Sequence, residues 1–174
     1  MFDGGEVSLD WIGPEDSSNE SPICLFLPGL TGHSQSEYIK SFVNVARKQL
    51  GARCIVFNFR GRGGHALKTA RTYCASNSED LAAVIDHIRA LYPDAPLLAL
   101  GVSLGGIILG NYLANESEAV TKKLKAAMLG KKECPSQAHY LFSELLQGTG
   151  SLCLGTLPCL FLFFCYKLLM RLTL

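Results

Sequence analysis

Three short, uninterrupted apolar segments constrain the fold of this chain more than any other feature of its sequence. They comprise residues 23–27, 54–57 and 97–102. Runs of this length without polar alternation are typical of parallel strands buried on both faces of a sheet. Residues 6–11 alternate instead, with Val7, Leu9 and Trp11 on one side, which predicts a half-buried strand.

Segments with helical periodicity separate these strands. Residues 36–49 predict a helix that is closed by Gly51. A second helix is predicted to be capped by Asn77 or Ser78 and to extend through Leu91. Its apolar stripe consists of Leu81, Val84, Ile85, Ile88 and Leu91. Residues 105–114 predict a third helix, and residues 124–129 a further strand. This alternation predicts an α/β fold with a mostly parallel sheet and flanking helices.

The sequence Gly-Val-Ser-Leu-Gly follows the third apolar segment directly and precedes a helix. This placement is typical of a nucleophile elbow, in which Ser103 occupies a tight turn above the edge of the sheet. Gly101 and Gly105 suit the crowded backbone of such a turn, and the helix N-terminus favours developing negative charge. The alternative is a glycine-rich turn that binds an anion or nothing.

The end of the first apolar segment carries a second signal, Leu-Pro-Gly-Leu-Thr-Gly at residues 27–32. In a hydrolase of this kind, that loop supplies one backbone N–H of the oxyanion hole, and the residue after the nucleophile supplies the other. We therefore predict the N–H groups of Leu30 and Leu104 as the donors.

Partners for a Ser103 triad are not apparent. An acid and then a histidine normally follow the serine, but no aspartate follows Ser103 and the only later histidine is His139. Glu133 and His139 share one short segment without a strand–helix pattern, so we do not expect them to complete a triad. His33 and His65 precede the serine, and we expect ordinary roles for them. The triad acid and histidine stay unassigned.

Charge and cysteine spacing exclude several functional classes. Lys and Arg number 16 and Asp and Glu 15, which gives no reason to expect a nucleic-acid partner. No pair among the seven cysteines has zinc-ligand spacing, so we expect neither a metal nor a cofactor. The N-terminus lacks the basic and apolar regions of a signal peptide, which favours reduced thiols in a reducing compartment.

Residues 152–166 form an almost wholly apolar run that contains Gly155 and Pro158. Its length lies between that of a buried segment and the roughly 20 residues of a spanning helix. Two interpretations stay open for this run, a membrane anchor or a tail that packs against nothing.

Five strings of sequence together resemble one group of proteins. They are DGGEVSLDW, LFLPGLTG, VFNFRGRGG, RTYCASNSEDL and LYPDAPLLALGVSLGG. They resemble the α/β-hydrolase-domain-containing proteins one and three and their fungal medium-chain esterase relatives. The resemblance implies a serine hydrolase that acts on acyl esters, medium-chain or phospholipid, and that attaches to membranes through an N-terminal anchor.

The resemblance covers residues 3–128, and we expect the chain to be truncated at both ends relative to this family. Residues 1–128 are then a partial α/β-hydrolase domain, and residues 129–174 a divergent hydrophobic tail. Only Ser103 and the backbone of Leu30 and Leu104 carry over from the family. The expected function is ester hydrolysis, and the expected location is membrane-associated or cytoplasmic. The alternative is a catalytically incomplete product that is non-enzymatic or tail-anchored in a membrane.

Overall fold

The computed structural model describes residues 1–13, 18–115 and 123–130, together with the backbone of residues 162–164. A six-stranded sheet has the order β1-β3-β2-β4-β5-β6. The strands are β1 (Ser8–Ile12), β2 (Ile23–Leu27), β3 (Arg53–Asn58), β4 (Leu97–Val102), β5 (Ala126–Gly130) and β6 (Leu162–Phe164). The helices are α1 (Glu37–Leu50), α2 (Glu79–Leu91) and α3 (Leu104–Asn115).

The four central strands run parallel, whereas β1 and β6 pair antiparallel at the two edges. Every residue of β2 is buried, as a strand with helices on both faces of its sheet requires. The α/β fold with a mostly parallel sheet is therefore confirmed. Because β2, β3 and β4 are mutually parallel, their carboxyl ends lie along one edge of the sheet.

Each face of the sheet has its own apolar core. Helix α1 packs on one face, where Ile39 and Phe42 join Phe26 and Val56. Helices α2 and α3 cover the other face, where their apolar residues join inward-facing side chains of β2, β3 and β4. The core of this second face includes Leu25, Leu27, Ile55, Leu81, Ile85, Ile88, Leu97 and Leu109.

The helix ends differ slightly from the predicted ones. Gly51 closes α1 with a φ of 58°, as expected. Ser78 occupies the N-cap position of α2, but it is the side chain of Asn77 that accepts the Glu79 N–H, at 3.0 Å. The predicted end of α2 at Leu91 is confirmed, although this last residue of the apolar stripe is 50 % exposed beyond the turn that packs through Ile88.

Several sequence predictions fall outside the described residues. These include Glu133, His139 and most of the apolar run 152–166, so the proposed boundary near Met128 stays a prediction. Within the described part of the chain, no helix is both long and apolar enough to cross a membrane. The described cysteines are free thiols, with Cys24 and Cys54 buried and Cys74 exposed.

Candidate active site

Ser103 is the single residue between the end of β4 and the start of α3. Its φ is 51°, a left-handed conformation that is uncommon for a residue with a side chain. Its N–H donates to the Gly130 carbonyl at 2.9 Å, and its own carbonyl accepts the Ile107 N–H at 3.0 Å. The backbone of Ser103 is thus held by β5 and by the first turn of α3, while the residue itself is exposed. We call residues 102–105 the Ser103 turn.

Gly101 and Gly105 allow the Ser103 turn to lie close to its neighbours. A Cβ at Gly101 would approach the Gly105 carbonyl oxygen to 2.5 Å. A Cβ at Gly105 would overlap the carbonyl oxygen of Leu27 and lie 2.5 Å from that of Pro28. Any side chain at either position would therefore push α3 away from β2 and β4, which is the physical reason for both glycines.

This close packing brings the segment after β2 next to Ser103. A Cβ at Gly29 would lie 3.4 Å from the Ser103 Cβ and 3.5 Å from the Val102 carbonyl oxygen. Gly29 and Gly32 are joined by a hydrogen bond from the Gly32 N–H to the Gly29 carbonyl at 2.9 Å. We call residues 28–32 the β2 turn, and its Leu30 is 66 % exposed.

The two predicted oxyanion donors lie in these neighbouring turns. Leu104 is the first residue of α3, where N–H groups have no intrahelical acceptor and the helix dipole is positive. Among the described residues, no acceptor is found for the N–H of Leu30 or of Leu104. The N–H groups of Leu30 and Leu104 as oxyanion donors stay a prediction, and the helix dipole favours negative charge beside Leu104.

Two polar residues at the end of β3, Asn58 and Arg60, were not predicted from the sequence. The side-chain oxygen of Asn58 accepts the Ser34 N–H at 3.0 Å, and its amide nitrogen donates to Asp10 Oδ2 at 3.0 Å. Asn58 is fully buried and connects β1 to the segment that leads into α1. The available signal was a polar residue directly after a continuous apolar strand, since such a group needs buried partners.

Arg60 forms a second polar connection and is only 2 % exposed. Its guanidinium donates to both carboxylate oxygens of Asp80 at 2.6 and 2.7 Å, and to those of Asp3 at 2.7 and 3.0 Å. These bonds lower the pKa of Asp3 to about 2 and raise the pKa of Arg60. We call Arg60, Asp3 and Asp80 the Arg60 cluster; it fastens the N-terminal segment to α2.

The described histidines do not complete the Ser103 site. His33 Nδ1 accepts the Gln35 N–H at 3.2 Å, and His65 and His87 are exposed. Within residues 1–13, 18–115 and 123–130, none of them is hydrogen-bonded to Ser103 Oγ. The same residues include no group of histidine, cysteine and carboxylate side chains that could hold a metal ion.

The geometry of the two turns suggests a protein family, and a comparison with known families identifies it. The model of the α/β-hydrolase fold matches residues 22–131, which include the β2 turn and the Ser103 turn. The chain belongs to the α/β-hydrolase fold family. The predicted fold is that of the N-terminal part of an α/β-hydrolase, and the match confirms it.

Several curated proteins are similar to part of this chain. "Phospholipase ABHD3" of Mus musculus is 50 % identical over 116 residues, which are 64 % of this chain and 28 % of the mouse protein. "Protein abhd-3.2" of Caenorhabditis elegans is 45 % identical over 117 residues, 67 % of this chain and 31 % of that protein. The chain thus spans about a third or less of the length of these curated relatives.

Among solved structures, the ferulic-acid complex of Est1E from Butyrivibrio proteoclasticus superposes with a TM-score of 0.60. It is 21 % identical, and the superposition covers 72 % of this chain and 48 % of Est1E. At this identity the likeness concerns the α/β-hydrolase fold alone.

Proposed function

We propose that this chain carries the nucleophile portion of a serine hydrolase that cleaves carboxylic esters of acyl lipids. The observation that carries the proposal is the placement of Ser103. This residue is exposed, has a positive φ of 51° and stands between a buried parallel strand and a helix N-terminus. In α/β-hydrolases, the nucleophile is presented by a turn of this kind.

The proposed oxyanion hole consists of the N–H groups of Leu30 and Leu104. Leu104 directly follows the nucleophile, and Leu30 lies in the β2 turn, whose Gly29 packs against Ser103. Removing a single donor from such a hole typically lowers the rate by about 100- to 1000-fold. The hole therefore accounts for a large share of the expected acceleration.

In the proposed reaction, Ser103 Oγ forms a bond to the ester carbonyl carbon while its proton passes to an imidazole base. The carbonyl oxygen becomes negative and accepts hydrogen bonds from Leu30 and Leu104. When the carbonyl re-forms, the ester C–O bond breaks and the leaving alcohol takes the proton from the base. A water molecule then cleaves the acyl-serine by the same steps, releasing a carboxylic acid and restoring Ser103.

Exposed apolar side chains beside the serine support an acyl substrate. Leu30 is 66 % exposed in the β2 turn, and Ile107 is 54 % exposed one helical turn after Ser103. The names of the similar proteins include "Phospholipase ABHD3", and the five sequence strings resemble the α/β-hydrolase-domain-containing proteins one and three. We therefore propose phospholipid or medium-chain acyl esters as substrates, with a membrane surface as their source.

One observation favours a second candidate function. No histidine of the described ranges is hydrogen-bonded to Ser103 Oγ, and a serine without a base is a weak nucleophile. Under this alternative, the chain by itself binds an acyl ester or a partner without turning it over.

Labelling with a fluorophosphonate probe separates the two candidates, because the probe reacts rapidly only with an activated serine. Under the hydrolase proposal, the wild-type chain and Ser41→Ala are labelled, and Ser103→Ala is not. Ser41 is the matched control, since it lies in α1 and its hydroxyl binds the Glu37 carbonyl. Labelling that persists in Ser103→Ala would contradict the hydrolase proposal. A folded wild-type chain without labelling would favour the binding alternative.

If labelling depends on Ser103, variants at His33, His65 and His139 identify the base. Each histidine is replaced by alanine in turn, and the base is the one whose loss removes labelling while the thermal midpoint is retained.

A further inference from the structure

The β2 turn has a conformation that its own sequence disfavours. Thr31 has a φ of 63°, although a β-branched residue rarely adopts positive φ. The Gly32 N–H donates to the Gly29 carbonyl at 2.9 Å and closes the turn over Leu30 and Thr31. Such a conformation persists only where the surrounding structure holds it. Contacts outside the turn must therefore stabilise it.

Tyr38, in the first turn of α1, provides such contacts. Its hydroxyl accepts the Gly29 N–H at 2.9 Å. At the other end of the turn, the same oxygen fills the space that a Cβ at Gly32 would occupy. A single phenol oxygen thus contacts both glycines that bound the turn. Burial raises the pKa of Tyr38, although the Gly29 N–H bond opposes this, so the neutral hydroxyl is the acceptor at neutral pH.

The position of the β2 turn determines the geometry of the Ser103 site. Gly29 lies against Ser103, because a Cβ there would be 3.4 Å from the Ser103 Cβ. Leu30, the next residue, carries the proposed oxyanion donor. A misplacement of about 1 Å at a reacting centre costs roughly 100-fold in rate. A contact that fixes Gly29 therefore also fixes the Leu30 N–H relative to Ser103 Oγ.

We infer that Tyr38 is a positioning residue that holds the β2 turn, and with it the Leu30 N–H, in place at the Ser103 site. This inference rests on the proposed function. Tyr38 acts through the backbone of Gly29, and it need not touch the substrate. Its hydroxyl supplies a fixed acceptor, whereas water would have to be ordered at the same place.

The test uses Tyr38→Phe, which removes only the hydroxyl, with Tyr73→Phe as the matched control. The Tyr73 hydroxyl likewise accepts a hydrogen bond, from Arg62 Nε at 3.1 Å, and Tyr73 lies in the segment between β3 and α2. For each chain, the maximal rate of Ser103 labelling and the half-saturating concentration of the fluorophosphonate are measured separately. In Tyr38→Phe, we expect the maximal rate to fall about 10- to 100-fold, with the half-saturating concentration little changed.

A merely structural role predicts a different pattern. It would lower the thermal midpoint in both variants and leave the maximal rate of the folded fraction unchanged. The inference is overturned if Tyr38→Phe labels as fast as the wild-type chain, or if Tyr73→Phe slows labelling equally.

Amide hydrogen exchange keeps the inference testable if the wild-type chain is not labelled. In that case the proposed function fails, and exchange at residues 29–32 decides about Tyr38. Faster exchange there in Tyr38→Phe than in Tyr73→Phe supports its role in holding the turn. Equal exchange in the two variants overturns that role.

Discussion

The carboxyl ends of β3 and β4 lie on the same edge of the sheet, yet they present opposite chemistry. After β3, Arg60 is 2 % exposed and its charge is matched by two carboxylates. After β4, Ser103 is exposed, its φ is positive, and the Leu104 N–H beside it has no acceptor among the described residues. The charged group after β3 is therefore paired within the protein, whereas the Leu104 N–H after β4 has no partner among the described residues.

This difference separates a structural polar site from a reactive one. Polar groups that are buried and paired contribute to holding segments together, and they have no capacity left for a ligand. Donors that are unpaired and fixed by backbone packing can stabilise charge that develops only during a reaction. The contrast predicts that substitutions in the Arg60 cluster change stability, whereas substitutions around Ser103 change reactivity.

The largest expected effect is that of Arg60→Ala. It leaves Asp3 and Asp80 without their buried cation, and we expect the free energy of unfolding to fall by about 3 kcal/mol. Urea unfolding measures this change. The control is Lys40→Ala, because the Lys40–Glu37 pair is exposed and is expected to contribute at most about 0.5 kcal/mol. If Arg60→Ala also slowed the labelling of Ser103 in the folded fraction, the division between a structural site after β3 and a reactive site after β4 would be wrong.

A smaller effect is expected from Ile107→Ser, which tests whether the surface beside Ser103 selects apolar acyl chains. We expect the labelling preference for long-chain over short-chain alkyl fluorophosphonates to fall by about five- to tenfold, since an apolar contact of this size is worth about 1 kcal/mol. Competition between the two probes measures the ratio. Leu91→Ser is the matched control, because Leu91 is similarly exposed at the far end of α2. An unchanged ratio in Ile107→Ser would show that Ile107 does not contact the acyl chain.

The smallest effect is a dependence on pH at the Arg60 cluster. Arg60 lowers the pKa of Asp3 from 3.8 to about 2, so the carboxylate stabilises the folded chain above its unfolded-state pKa. That stabilisation is lost as the pH falls from about 4 to about 2. We therefore expect the difference in unfolding free energy between the wild-type chain and Asp3→Asn to shrink over this window. Urea unfolding at several pH values measures it. Glu6→Gln, at an exposed carboxylate 4.0 Å from Lys68 Nζ, is the control variant.

Much of the fold could be predicted from local patterns. The continuous apolar runs predicted β2, β3 and β4 to within two residues, because a strand covered on both faces has no solvent-facing positions. Helical periodicity and Gly51 located α1 for the same local reason. Periodicity also located the end of α2 at Leu91, but it did not reveal that Leu91 is 50 % exposed, because periodicity carries no information about where the underlying sheet stops.

For the site, the sequence by itself determined that a serine would follow a buried strand and precede a helix, with glycines on both sides. Only the tertiary structure decided which distant groups would meet there. The contacts of Gly29 with Ser103 and of Arg60 with Asp3 join residues far apart in the chain. The first contact follows from the parallel pairing of β2 with β4, and the second from the antiparallel pairing of β1 with β3; both pairings fix the positions of strand ends that no local pattern connects.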